Sequence, residues 1–179
     1  MSHLKSEVLA AALAQTNGWI AAELKRPDIW LELVLQHTAR QTAEAFATIA
    51  ADRRRVHWDW ESLYFKKARK PDGWMFSIIV KSQGPSAMCY GRLDVKKDYV
   101  SINYLESAQV EELKGLVALI SFQFALTVAI VLDIDELRLC DPFEELVPFY
   151  ERVLQALGMP AVRHPAEGSV QFLSAKVSS

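Results

Sequence analysis

Groups able to do chemistry are few in this sequence, and several familiar arrangements are missing. The four histidines, His3, His37, His57 and His164, show no zinc-ligand spacing, and neither Cys89 nor Cys140 has a nearby metal partner, so no metal is expected. There is no Walker loop, no dinucleotide-binding glycine fingerprint and no Gly-x-Ser-x-Gly elbow. Cys140 ends a strand-like run before Asp141-Pro142, where a thiol could face a cleft. Both cysteines lie in apolar runs, however, and a reduced Cys acting as a small hydrophobe is the favoured reading. Lys66, Lys67, Arg69 and Lys70, with Arg53, Arg54, Arg55, Lys96 and Lys97, could form a basic face for a phosphate group, a nucleic acid or an acidic partner. A solvated strand end and turn is the plainer reading. Trp58, Trp60, Tyr64 and Phe65 stand beside this cluster; base stacking is conceivable, but aromatics in an alternating strand are more often core.

The elements that must carry these groups follow from periodicity. Residues 4–16 are rich in Ala and Leu and stop at Asn17-Gly18, a helix C-terminal signal. A short segment from Trp19 to Lys25 ends at Pro27. Asp28 can then cap a long helix to about Asp52, with Ile29, Leu33, Val34, Phe46 and Ile49 on its apolar side and Arg53–Arg55 closing it. Val56, Trp58 and Trp60 alternate with polar residues, so a strand is expected towards Phe65. Trp74–Lys81, Met88–Val95 and Tyr99–Glu106, joined by short turns, complete an antiparallel meander of four strands. Next come a long apolar helix, a strand over Glu136–Cys140, a helix from about Phe143 to Leu157 ended by Gly158, and a closing strand over Ser169–Ala175. Pro148 falls in the first turns of its helix, where it is tolerated. The expected organisation over 1–179 is a single α/β domain with a mixed sheet. It has a helical part over 1–55, the meander over 56–106 and an α/β half over 107–179.

Composition sets the class. The chain has 179 residues, 51% hydrophobic and 23% charged, which excludes a disordered or collagen-like chain and allows a large core without disulfides. A cytoplasmic location fits. Residues 1–100 carry 15 Lys and Arg against 11 Asp and Glu, whereas residues 101–179 carry 5 against 11. Neither half is basic enough to mark a nucleic-acid binder by charge. The apolar stretch at residues 8–14 is short and follows Glu7, unlike a signal peptide. Gly115 to Leu132 runs 18 residues without a charge, roughly 27 Å as a helix. Ser121, Gln123 and Thr127 interrupt it and acids follow it, so a helix buried in a soluble domain is expected rather than a membrane span.

Two stretches carry a family likeness. Glu112-Leu113-Lys114-Gly115-Leu116-Val117 follows the fourth strand and opens the long helix, and Phe149-Tyr150-Glu151-Arg152 with Leu157-Gly158-Met159 follows the next strand. In this order of elements they resemble the GCN5-related N-acetyltransferases over roughly residues 74–175. There the first stretch corresponds to an Arg/Gln-x-x-Gly-x-Gly/Ala pyrophosphate loop, and the second to an aromatic-Tyr-Glu segment. The resemblance implies acetyl-CoA as cofactor, held by Leu105, Leu113, Lys114, Gly115, Leu116 and Val117. It also implies transfer of the acetyl group to an amine, small or on a protein, with Tyr150 protonating the departing thiolate. An unperturbed phenol, with a pKa near 10, keeps its proton at neutral pH for that purpose. Glu106, at the end of the strand leading into the loop, is the best-placed base, with Asp94 behind it, although a solvated strand-end acid is the plainer reading of either.

The loop also departs from the pattern. Glu112 stands where Arg or Gln is expected, with Glu111 beside it, and Val117 replaces a small residue. Two acids near an incoming diphosphate each cost on the order of 1 kcal/mol at surface-like screening. Two functions therefore stand side by side: an acyl-CoA-dependent N-acyltransferase, or a non-catalytic relative serving as an interaction or regulatory protein, as a homodimer or with another partner.

Overall fold

The computed structural model describes residues 3–51, 56–165 and 172–177. Its sheet has seven strands in the order β1-β2-β3-β4-β5-β7-β6. They are β1 (Ile29–Leu33), β2 (Gly73–Val80), β3 (Gly84–Asp94), β4 (Tyr99–Ser107), β5 (Glu136–Cys140), β6 (Ala161–His164) and β7 (Phe172–Lys176). The first four form an antiparallel meander, β5 runs parallel to β4, and β7 and β6 return antiparallel. The helices are α1 (His3–Ala22), α2 (Ala39–Ala50), α3 (Trp60–Leu63), α4 (Val117–Leu132) and α5 (Val147–Ala156).

Both faces of the sheet are covered. Trp74 and Phe76 of β2 pack on Phe124 of α4, at centroid distances of 5.3 and 4.9 Å. Adjacent strand residues point to opposite faces, and the other face carries Tyr90 and Tyr104, on which Trp58 closes at 5.0 Å from the Tyr104 ring. A strand covered on both sides reads as unbroken apolar sequence, and β2 is buried along its whole length. Helix α4 is likewise buried nearly all round, including Phe122, Phe124, Ala125 and Val128, so its lack of charge belongs to a core helix. Among the described residues, no helix is long and apolar enough to cross a membrane. Asp133 ends α4 in the left-handed conformation at φ 54°, and the Ile134 N–H closes back on the Ala129 carbonyl.

The N-terminal third differs from the sequence expectation. The helix does not stop at Asn17-Gly18 but continues to Ala22. Asn17 acts across space instead: its Oδ1 accepts the Leu31 N–H at 2.7 Å and its Nδ2 donates to the Leu31 carbonyl at 3.1 Å. The expected long helix from Asp28 is instead strand β1 followed by α2. Asp28 binds Arg26 rather than capping a helix, and its carbonyl accepts the Lys81 N–H, extending the ladder to β2. Ile29 and Leu31 are buried against the sheet, and the meander takes its first strand from here.

The expected strand from Val56 to Phe65 is α3 with a wider π turn over Tyr64–Ala68. Asp59 caps it, accepting the Ser62 N–H at 2.9 Å, and local capping overrides the alternation. The helix expected from Phe143 begins with a 3₁₀ turn over Glu144–Leu146, and Pro148 sits near the start of α5. Strand β6 was not expected: it is four residues between prolines, too short and polar for a clear pattern. The closing strand is described from Phe172; Ser169 to Gln171 and Arg53–Arg55 lie outside the described residues.

Candidate active site

The central feature is a gap in the sheet. Strands β4 and β5 pair from Tyr99–Glu136 to Ile102–Leu139. Among the described residues β4 has no partner on that side beyond Ile102, and β5 ends at Cys140. Opposite β3, Tyr90 faces Tyr104 while Gly91 faces Ile102, so Asn103 is an extra residue, a bulge that bends β4 where the gap begins. Two clefts flank this gap, of about 670 and 450 Å³.

The larger cleft opens at the N-terminus of α4. Its lining includes Leu105, Leu113, Lys114, Gly115 and Val117, and also Glu106 and Tyr150, so residues chosen from separate parts of the sequence stand around one space. Leu116 is outside the lining; it is the residue before the helix, and its carbonyl takes the first helical bond, from the Ile120 N–H. The N–H groups of Val117, Ala118 and Leu119 precede that bond, and no side chain caps the helix. Gly115 has φ +75° with open space around it, a conformation that brings backbone to the cleft without a side chain in the way. Phe143, Leu146 and Phe149 add an apolar wall that sequence reasoning did not assign to the site; Phe149, beside Tyr150 in the aromatic-Tyr-Glu segment, was its best signal.

Glu112, the departure that suggested repulsion, is held elsewhere. It is not part of the cleft lining. Its carboxylate accepts two hydrogen bonds from Gln83 Nε2, at 3.1 and 3.0 Å, and its carbonyl accepts one from Arg26. Its own backbone N–H and Gln83 hold its carboxyl below the usual range, with Ser82 and the Arg26 charge acting the same way. Glu111 does reach the cleft but is exposed and lies 3.4 Å from Lys114. The electrostatic penalty is therefore smaller than the sequence implied, while Val117 stays in the lining as a β-branched side chain.

Glu106 is not a solvated strand end. It is 3% exposed, and the Trp60 indole N–H donates to its Oε2 at 2.6 Å. A buried carboxylate needs such a donor. Tyr150 packs edge-on to Phe122 at 6.0 Å and beside Phe149 at 5.5 Å. Asp94 lies at the opposite end of the meander, where it caps the β3–β4 turn at Lys97 and lines neither cleft.

The smaller cleft is lined by Lys67, Lys70, Tyr90, Arg92, Tyr104 and Asp141, among others. The basic cluster is thus divided: Lys67 and Lys70 reach this cleft, whereas Lys96 and Lys97 are exposed in a turn away from it. Trp58 and Trp60 lie edge-on to each other at 5.8 Å, and their rings belong to the packing over the sheet. Cys140 borders the cleft, but burial pushes its thiol up, which keeps it protonated and argues against a nucleophile. Burial also pushes the Tyr90 hydroxyl up to about 12.

No family model and no curated protein sequence matches the chain. Solved structures do. A variant of spermidine N-acetyltransferase SpeG from Vibrio cholerae aligns with a TM-score of 0.58 at 14% identity, covering 85% of this chain and 95% of that one. An acetyltransferase of the GNAT family from Staphylococcus aureus Mu50 aligns with a TM-score of 0.55 at 10% identity, covering 84% and 99%. The Salmonella typhimurium protein yncA, solved with its cofactor acetyl-CoA, aligns at 0.54 and 8% identity, covering 85% and 95%. Across most of its length the chain, with its mixed seven-stranded sheet, has the fold of the GCN5-related N-acetyltransferases.

Proposed function

We propose that this protein is an acetyl-CoA-dependent N-acetyltransferase acting on an amine. The observation that carries the reading is the uncapped start of α4, with left-handed Gly115, opening into the cleft that Tyr150 and Glu106 also line. Unpaired backbone N–H groups and the positive end of the helix suit a diphosphate. Leu105, Leu113, Phe143 and Leu146 suit the less polar arm that joins it to the thioester. When bound, acetyl-CoA supplies an activated acetyl group.

The chain's own residues then divide the proton work. Glu106 takes a proton from the acceptor ammonium, so that the nitrogen lone pair is free to attack. Tyr150 gives its hydroxyl proton to the sulfur as it leaves. The overall exchange converts an ammonium and a thioester into an amide, a thiol and one proton. The amine approaches from the smaller cleft, across the gap between β4 and β5.

The second reading, a relative without catalysis, rests on Val117, whose branched side chain narrows the approach to the helix start. Calorimetric titration with acetyl-CoA and with CoA separates the two. Binding with thermal stabilisation is expected. No heat and no stabilisation at millimolar ligand would leave the fold without the cofactor, and a search for a co-purifying partner or self-association would follow.

A further inference from the structure

The charges of the smaller cleft are unequally committed. Arg92 is engaged by Asp72, its Nε and Nη2 both donating to one carboxylate oxygen. No described carboxylate pairs with Lys67: its Nζ donates to the Tyr104 hydroxyl at 2.7 Å and lies 4.6 Å from the Tyr104 ring centroid. The Lys70 side chain is exposed, and no described acid pairs with it. Buried Lys5 donates to the carbonyl of Lys70, a lining residue, and to that of Gly73. Asp141, at the end of β5 beside the gap, is the one acid of the described lining not paired with Arg92. The described lining thus combines Lys67 and Lys70 with one carboxylate, Asp141, outside the Arg92–Asp72 pair.

Tyr104 and Glu106 lie two residues apart on the same face of β4, a separation of about 7 Å. Lys67 thus binds the hydroxyl of a residue whose next neighbour on that face is the candidate base. A space of about 450 Å³ suits a small molecule. We propose that the acceptor is a small amine that also carries an anionic group, carboxylate or phosphate, which Lys67 and Lys70 bind while the amino end lies towards Asp141 and Glu106. The assignment rests on the acetyl-transfer reading for the fate of the amine, but the binding does not depend on it. A polyamine, with a second cation in place of the anion, is disfavoured here.

Four amines of matched length test this: γ-aminobutyrate, O-phosphoethanolamine, butylamine and putrescine. Each is titrated calorimetrically into the full chain, with and without saturating CoA. At least one of the two anionic amines should bind about tenfold tighter than butylamine, with putrescine weakest. The tighter of the two anionic probes identifies the anion. Lys70→Glu, at an exposed side chain, should abolish or reverse the order at unchanged melting temperature, and Lys67→Met should weaken the anionic amines. Equal or tighter binding of putrescine, no binding by any of the four, or an order unmoved by Lys70→Glu would overturn the proposal. Acetyl-CoA is titrated separately into the same proteins. Anionic amines bound without acetyl-CoA binding would sink the transfer reading and keep this site; the converse would sink this site and keep the reading.

Discussion

Tyr150 and Glu106 are asked to do different proton work, and their surroundings differ accordingly. Tyr150 stands in an aromatic wall, where Phe122 and Phe149 fix its ring. Tyr150→Phe keeps that packing and removes the hydroxyl that would carry the proton. Turnover should fall about a hundredfold while acetyl-CoA affinity stays within about twofold. Steady-state kinetics beside calorimetry will show this, and an unchanged rate removes the role. Glu106→Gln keeps an oxygen for the Trp60 indole, so it separates base from support. Turnover should drop by a similar factor with a melting temperature within a few degrees of the parent. Equal loss of stability and turnover would make Glu106 a structural acid. The position of both residues around one cleft was legible from the order of elements, since Glu106 lies near the end of a recognisable strand and Tyr150 in the helix after the next one. The Trp60 contact was not, since its partners are 46 residues apart and nothing local announces it.

The elements most exposed to misreading are those whose local signals conflict. Residues 29–33 carry strand-forming side chains directly after a potential helix cap, and pairing with β2 decided the matter. In contrast, Asp59 fixed a helix where alternation favoured a strand, because its cap bond forms within four residues. The later strands and α4 were legible since burial on one or two faces leaves a clear apolar pattern. Two predictions belong at this scale. Asn17 stands in for a strand partner at the open edge of β1. Asn17→Ala leaves the Leu31 backbone groups unpaired and should cost about 1–2 kcal/mol in denaturant unfolding; a smaller loss would mean that water replaces the amide without penalty. At the start of α4, Glu112 is tied to Gln83 and Arg26, away from the cleft. Glu112→Gln should therefore change the acetyl-CoA dissociation constant by less than about threefold. A gain of an order of magnitude would show that its charge does reach the diphosphate.

Across the whole molecule, acids tied to basic or polar partners set the response to pH. Arg26 hydrogen-bonds Asp28, Arg163 hydrogen-bonds Glu151, and Glu112 is held by its own N–H and Gln83; each carboxyl lies below its ordinary value. For Asp72, partial burial pushes upward, but Arg92 outweighs it and the net direction is down. A carboxyl lowered by folding binds fewer protons in the native chain than in the unfolded one. Its contribution is complete above the unfolded values, 3.8 for Asp and 4.5 for Glu, and is lost as pH falls through the lowered native values. These groups are mostly solvent-exposed, so each contribution is modest and the sum is what a titration reads. Urea midpoints should be nearly flat from neutrality to about pH 5 and fall below it. Asp72→Asn should start lower at neutral pH, because Arg92 loses its charge partner in the lining of the smaller cleft, and should converge on the parent once the acids are protonated. A variant curve parallel to the parent down to the lowest pH would mean that Asp72 contributes packing rather than charge.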